Sequence, residues 1–165
     1  MKEKCAICGT EIGLHFLPYE IPHFGEAMIF TAVCPSCGYR STDVMILSGE
    51  KRRRYEMEVS SAHDLNVQVI RSSTGSIEIP ELGVSVEPRR GESFISTVEG
   101  VLKRVEEVLK MLSRDVVGEK KKRAEHILMQ IERIKAGEAS MTLIIDDPTG
   151  NSAVISDKAK IKNGC

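Results

Sequence analysis

The sequence has no tryptophan, and only three tyrosines and four phenylalanines among its 165 residues. Val, Ile, Leu and Met must therefore fill any core. No apolar run approaches the ~18 residues that a membrane-spanning helix needs. No apolar stretch of the secretory kind follows Met1-Lys2-Glu3-Lys4-Cys5, so a cytoplasmic location is expected. Strong charge of one sign is missing too. The 23 Lys and Arg against 24 Asp and Glu leave a formal net charge of -1, which argues against a generally basic nucleic-acid-binding protein. An apolar fraction of 41% is too high for a disordered chain. Neither G-x-x-x-x-G-K-[ST] nor G-x-G-x-x-G occurs. His15, His23, His63 and His126 are scattered and read as surface or packed residues. With no catalytic constellation, an enzyme is not expected.

What is present is cysteine in a pattern. Cys5 and Cys8 form one C-x-x-C pair, Cys34 and Cys37 another, with 25 residues between Cys8 and Cys34. Each pair is followed by glycine, Gly9 and Gly38. A two-residue spacer lets both sulfurs of a pair face one ion, and four thiolates surround Zn²⁺ tetrahedrally. The gap exceeds the usual ~15–20 residues but holds two strands and a loop, as in a zinc ribbon. The rival readings are structural disulfides, disfavoured in the cytosol, and a redox C-x-x-C, which needs one such motif in a βαβ setting. One structural Zn²⁺ on Cys5, Cys8, Cys34 and Cys37 is the expected cofactor, since four sulfurs leave no open position for water. Bound as thiolates, they take the net charge to about -3. Cys165 has no partner in the pattern and reads as an exposed tail thiol.

Alternation and turn residues divide the rest. Residues 13–19, 26–33 and 43–47 read as ribbon strands. The basic run Lys51-Arg52-Arg53-Arg54 leads into a strand with Tyr55, Met57 and Val59 on one face, read as a solvated edge strand guarded by positive charge. Residues 65–70, 76–79 and 84–86 read as short strands, a spacing that suggests an antiparallel sandwich or barrel. The period then changes. Val98, Val101, Leu102, Val105, Val108, Leu109 and Leu112 mark one helical face, with Ser96 and Glu99 placed as a capping box. Ala124, Ile127, Leu128, Ile131 and Ile134 mark a second helix, ended by Gly137. Residues 115–118 join the two into an antiparallel hairpin. Lys120-Lys121-Lys122-Arg123 opens that second helix, the unfavourable end for cations. Residues 141–145 and 153–155 read as a β-hairpin around Asp146–Ser152. The last residues, 157–165, read as a polar, frayed tail.

The expected fold is thus α+β and mainly β. A zinc ribbon (residues 1–48) precedes an antiparallel β domain (residues 49–156) that carries a helical hairpin at about 97–136.

Seven segments in order carry a resemblance: Cys5–Gly9, Ile21–Phe24, Cys34–Arg40, Asp64–Ser72, Ile79–Leu82, Thr97–Gly100 and Asp146–Ser152. Together they resemble the ZPR zinc-finger family, whose eukaryotic members bind translation elongation factor one alpha. Those members carry the module twice; this chain carries it once, as shorter archaeal members do. Val67 stands where eukaryotic members usually have Arg. The resemblance implies a β domain like a double-stranded β-helix. It also implies a chaperone-like accessory role toward the elongation factor, a GTPase, in its GDP-bound or newly made form. Exposed loops that carry these motifs suggest partner contacts at Pro22, His23 and Phe24, and at Asp147 and Asn151. The alternative is a nucleic-acid-binding zinc ribbon that uses the basic runs at 51–54 and 120–123.

Overall fold

In the computed structural model, which describes residues 1–22, 25–47 and 51–163, alternation at period two becomes three antiparallel sheets. The ribbon sheet has strand order β1 (Lys2–Lys4), β2 (Glu11–Ile21), β3 (Gly25–Val33) and β4 (Arg40–Ile46). Register pairs Phe16 with Phe30 and Phe30 with Asp43, so every second residue shares a face across three strands. One face carries Tyr19, Ile21, Ala27, Ile29 and Val44. These pack against Ile70, Ile95 and Ile155 of the second module.

That module is built from two sheets around one core. The larger has the order β12 (Lys160–Asn163), β5 (Arg53–Val59), β10 (Met141–Asp147), β7 (Ser76–Ile79) and β8 (Val84–Val86). The smaller has the order β11 (Ala153–Ile155), β6 (Gln68–Arg71) and β9 (Phe94–Thr97). Tyr55, Met57 and Val59 lie opposite Ile145, Leu143 and Met141, all buried, while Glu56 and Glu58 take the other face. Helices α1 (Val98–Ser113) and α2 (Glu119–Lys135) close the core with Val98, Leu102 and Ile131. As the apolar stripes predict, they pack as a hairpin.

Several local expectations are corrected. Strand β5 is not an edge strand, because β10 and β12 flank it on both sides. The polar C-terminal segment supplies β12: Lys160–Asn163 pairs with residues 53–56, with Ile161 opposite Tyr55. The open flank of β5 gives that segment a ladder, so it does not fray. Residues 64–66 form a short 3₁₀ turn, and the strand begins only at Gln68. Strand β9, just before α1, had no alternating apolar signature to announce it. The helix cap is Thr97 rather than Ser96; its hydroxyl accepts the backbone N–H of Gly100 at 3.1 Å. That register puts Gly100 where a reciprocal Glu would sit, so no capping box forms. Strands β10 and β11 do not pair with each other. The turn between them carries the chain from the larger sheet to the smaller.

The two modules meet along β4. Thr42 donates its N–H to Gly91 O (2.9 Å) and accepts from Ser93 N–H (3.0 Å), a short parallel pairing that covers the edge of β4. Asp43 accepts the hydroxyls of Ser93 (2.8 Å) and Ser73 (3.0 Å). Gln68 donates to the Tyr19 hydroxyl at 2.8 Å. Apolar packing and these bonds fix the ribbon on the β domain.

Candidate metal centre and partner face

The two C-x-x-C turns fold identically. Gly9 N–H reaches Cys5 O and Gly38 N–H reaches Cys34 O, both at 2.9 Å; Cys5 N–H reaches Thr10 O and Cys34 N–H reaches Tyr39 O, both at 2.8 Å. Each turn needs a left-handed residue, and Gly9 and Gly38 supply φ of 73° and 74° at no steric cost. The turns face each other. Cys5 Sγ lies 3.6 Å from Cys37 Sγ, and Cys8 Sγ 3.5 Å from Cys34 Sγ. All four sulfurs lie within 4.8 Å of one another. A tetrahedron with metal–sulfur bonds of about 2.3 Å has sulfur–sulfur edges of about 3.8 Å. The donor set therefore fits one soft, tetrahedral, four-coordinate ion, and these cysteines could hold zinc. Cys5 and Cys34 are buried beside Ile12 and Ala32, while Cys8 and Cys37 are exposed.

The protons of this cluster are held unequally. The Thr10 hydroxyl, then its backbone N–H, stabilise the Cys8 thiolate and lower its pKa to about 6. Cys5 is lowered too, first by the backbone N–H of Cys8. Cys37 receives a favourable backbone bond from Tyr39, but partial loss of water around its sulfur and the three neighbouring sulfurs outweigh it and push it up to about 12. Four negative sulfurs this close do not coexist without a cation, and a divalent metal removes that obstacle.

The face of the ribbon sheet turned away from the Ile70 cluster is apolar as well. Strand register places Phe16 and Phe30 together, and Pro18, Met28 and Met45 beside them. The two rings meet edge to face at 5.3 Å. Phe16 is 46% and Met45 45% exposed, and a shallow groove of about 640 Å³ runs along Leu14, Phe30 and Met45. An exposed apolar cluster of this kind is a candidate interaction surface. Sequence reading missed it, although the signal was present. Ala27-Met28-Ile29-Phe30 is apolar at every position, so both faces of β3 are apolar, not one.

The expected partner contacts fare differently. Pro22 is exposed just after β2. His23 and Phe24 lie outside the described residues, as does Cys165. Asp147 is corrected: it is fully buried. Its carboxylate accepts the hydroxyls of Ser72 and Ser152 at 2.6 Å, Thr74 at 2.7 Å and Thr149 at 2.8 Å. Burial disfavours its charge, but these donors outweigh burial and hold its pKa below the ordinary range. A carboxylate so enclosed braces the interior. Asn151 is half-buried, and both ends of its amide are used internally, by Ile46 N–H and the Thr149 hydroxyl. Of the basic runs, Arg52 is fixed on Asp146 through two bonds of 2.6 and 3.1 Å, with Arg54 at 3.8 Å from the same carboxylate. In the second run, Lys120 and Arg123 are exposed. Among the described residues, no helix is long and apolar enough to cross a membrane.

Comparison with known proteins gives two family matches. The ZPR1 zinc-finger domain matches residues 1–50, and the ZPR1 jelly-roll domain matches residues 63–164. A ZPR1-like protein of Pyrococcus horikoshii is 42% identical over 164 residues, covering 94% of this chain and 73% of that protein. A ZPR1-like protein of Methanocaldococcus jannaschii is 40% identical over 159 residues, covering 93% and 79%. The zinc finger chaperone zpr1 of Schizosaccharomyces pombe is 33% identical over 156 residues, which span 90% of this chain but only 34% of that longer protein.

Proposed function

The chain belongs to the ZPR1 zinc-finger family, and from that membership we propose that it is a cytoplasmic, non-catalytic accessory protein that binds the translation elongation factor one alpha GTPase in a chaperone-like role. Cys5, Cys8, Cys34 and Cys37 hold one structural Zn²⁺. The metal fixes the ribbon, and the ribbon presents the binding face. The observation that carries this reading is the outward cluster of Phe16, Met28, Phe30 and Met45, which remains apolar and accessible although the opposite face of the same sheet is packed. Apolar surface displayed on a metal-stiffened sheet suits a protein client better than a nucleic acid, whose recognition rests on phosphate contacts and base stacking. A fission-yeast relative named as a zinc finger chaperone supports the same class of role. Pro22, exposed just after β2, opens the sequence segment Pro22-His23-Phe24, a second candidate contact.

The test replaces two exposed apolar groups of the ribbon face, Phe16 and Met45, and separately two residues of the segment that carries the family motif. Phe16→Ser with Met45→Ser, and separately His23→Ala with Phe24→Ala, are titrated against the elongation factor. The expected result is a loss of affinity of about tenfold or more with one zinc still bound per chain. Wild-type affinity in both double variants would rule out the ribbon as the binding face.

A further inference from the structure

A second surface, distinct from the ribbon face, lies where the helical hairpin overhangs the edge of the larger sheet. Its volume is about 1010 Å³. Strand β8, the outermost strand of that sheet, forms one side with Val84 and Val86. Helix α1 forms the other with Val101, Val105, Val108 and Leu112, and α2 contributes Ala124 and Ile127. Val101, Val105 and Ala124 form the groove's buried floor, and Val108 and Leu112, 50% and 56% exposed, form its open wall. The volume reaches the top of the ~300–1,000 Å³ typical of small-ligand pockets. From Val101 to Leu112 the α1 wall runs about 16 Å at 1.5 Å per residue. That length matches three turns of a partner helix.

Charge decides what kind of segment fits. Eight charged residues line the groove, and six are cations: Arg40, Arg71, Arg89, Arg104, Lys120 and Arg123. The two acids are Glu87 and Glu92, and Glu92 is paired with Arg89 at 3.1 Å. The whole chain is formally -1, so this concentration of positive charge is local. Among the described residues, Arg104, Lys120 and Arg123 make no ion pair within 4.0 Å. Arg71 is 2% exposed and donates to three backbone carbonyls, of Gly75, Glu87 and Glu92, at 2.5–3.0 Å. Among the described residues, no carboxylate lies within ion-pair distance of it. Two guanidinium groups lie over the Phe94 ring, Arg104 4.2 Å and Arg71 5.8 Å from its centroid. An apolar groove flanked by Arg104, Lys120 and Arg123, cations with no ion pair among the described residues, is complementary to a segment with an apolar stripe and acidic flanks.

We infer that this groove docks an acidic amphipathic helix of a partner protein, with apolar side chains along Val108, Leu109 and Leu112 and carboxylates on Arg104, Lys120 and Arg123. The mode is a helix laid in a groove. It does not depend on which protein engages the ribbon, since the groove and the ribbon face share none of the contacts named here.

The test uses the zinc-loaded full chain and labelled 16-residue probe peptides followed by fluorescence anisotropy. One peptide has Leu and Ile at helical spacing with Glu at the flanks. A second keeps the apolar positions and replaces each Glu by Lys. A third is the acidic peptide with its apolar positions scrambled. Saturable binding of the first, at least tenfold tighter than either control and weakening as salt rises, is expected. Arg104→Glu with Arg123→Glu, both at exposed positions, should weaken it tenfold or more with unchanged melting temperature. Val108→Asp should do the same through the apolar wall. Equal binding of the acidic and basic peptides, or unchanged affinity in both variants, would overturn the inference. So would RNA or anionic vesicles binding at this groove while the acidic peptide does not.

Discussion

The side-chain oxygen of Asn151 accepts the backbone N–H of Ile46 at 3.0 Å, joining the turn after β10 to the end of β4 across 105 positions of sequence. Ile46 is buried in the main core, so its N–H has little access to water. The same Asn amide donates to the Thr149 hydroxyl at 3.0 Å. One side chain thus ties the β domain to the ribbon, alongside the Asp43 bonds to Ser73 and Ser93.

Removing that tie leaves a buried donor unpaired. Asn151→Ala should lower stability by about 1–3 kcal/mol, read from urea unfolding. Hydrogen exchange at Ile46 should speed up more than exchange at Leu143. Asn151→Asp keeps the acceptor and should recover most of the loss.

This bond also shows what was legible in the sequence and what was not. The cluster of four cysteines was legible, because two C-x-x-C-G units set the sulfurs and their turns at once. The helical hairpin was legible from its apolar stripes. The turn 146–152 was read as a turn, but not as a sheet-to-sheet crossing. Whether β10 and β11 pair or part depends on strand order, which is set by contacts far away in sequence. Ser72 and Thr74 looked like a polar loop for the same reason. Their role as donors to Asp147 exists only once β6 and β10 are side by side. Arg71 is hidden likewise: its three acceptors lie in two connections, Gly75 between β6 and β7, and Glu87 and Glu92 between β8 and β9.

The same crossing turn depends on Gly150. Its φ is +71°, and a Cβ there would lie 2.3 Å from the carbonyl oxygen of Lys51. Gly150→Ala adds backbone strain to a clash with main chain that cannot swing aside. A loss of more than about 1 kcal/mol is expected, again from urea unfolding. Gly118→Ala serves as comparison. It has the same φ of +71° with nothing within 4 Å, so it should show only the strain.

Tyr55 runs the opposite way. Its hydroxyl is buried and has no hydrogen-bond partner among the described residues. Burial first, against a weaker pull from Arg53, raises its pKa. Tyr55→Phe removes the unpaired group and keeps the ring. Stability should stay unchanged or rise by up to about 1 kcal/mol in thermal unfolding. A large loss would mean that the hydroxyl is satisfied in solution.

The acid response should be traceable to Asp64. Its carboxylate is held at about 2, chiefly by the Lys158 ammonium at 2.8 Å and then by the Ser60 N–H. An unfolded Asp titrates near about 3.9. The folded value is the lower one, so its contribution is complete above about pH 4 and is lost as pH falls through about 2. Loss of metal in acid affects all variants alike. The difference between wild type and Asp64→Asn should therefore be constant above about pH 4.5 and shrink toward pH 2.

Metal dependence should be confined to one module. Cys34→Ser should take bound zinc from one per chain toward none, measured with a colorimetric chelator after denaturation. Ribbon amides should lose exchange protection first, while β5 and β10, inside the main core, keep theirs. Wild-type zinc content in this variant would remove the four cysteines as the site.

The most direct test of the functional account is binding of the zinc-loaded protein to elongation factor one alpha in its GDP-bound, GTP-bound and nucleotide-free forms. Transfer RNA and ribosomal RNA serve as comparison ligands. The account predicts saturable binding to the factor that changes with nucleotide state and disappears when zinc is removed. No binding to any form of the factor, with salt-sensitive binding to RNA instead, would contradict it.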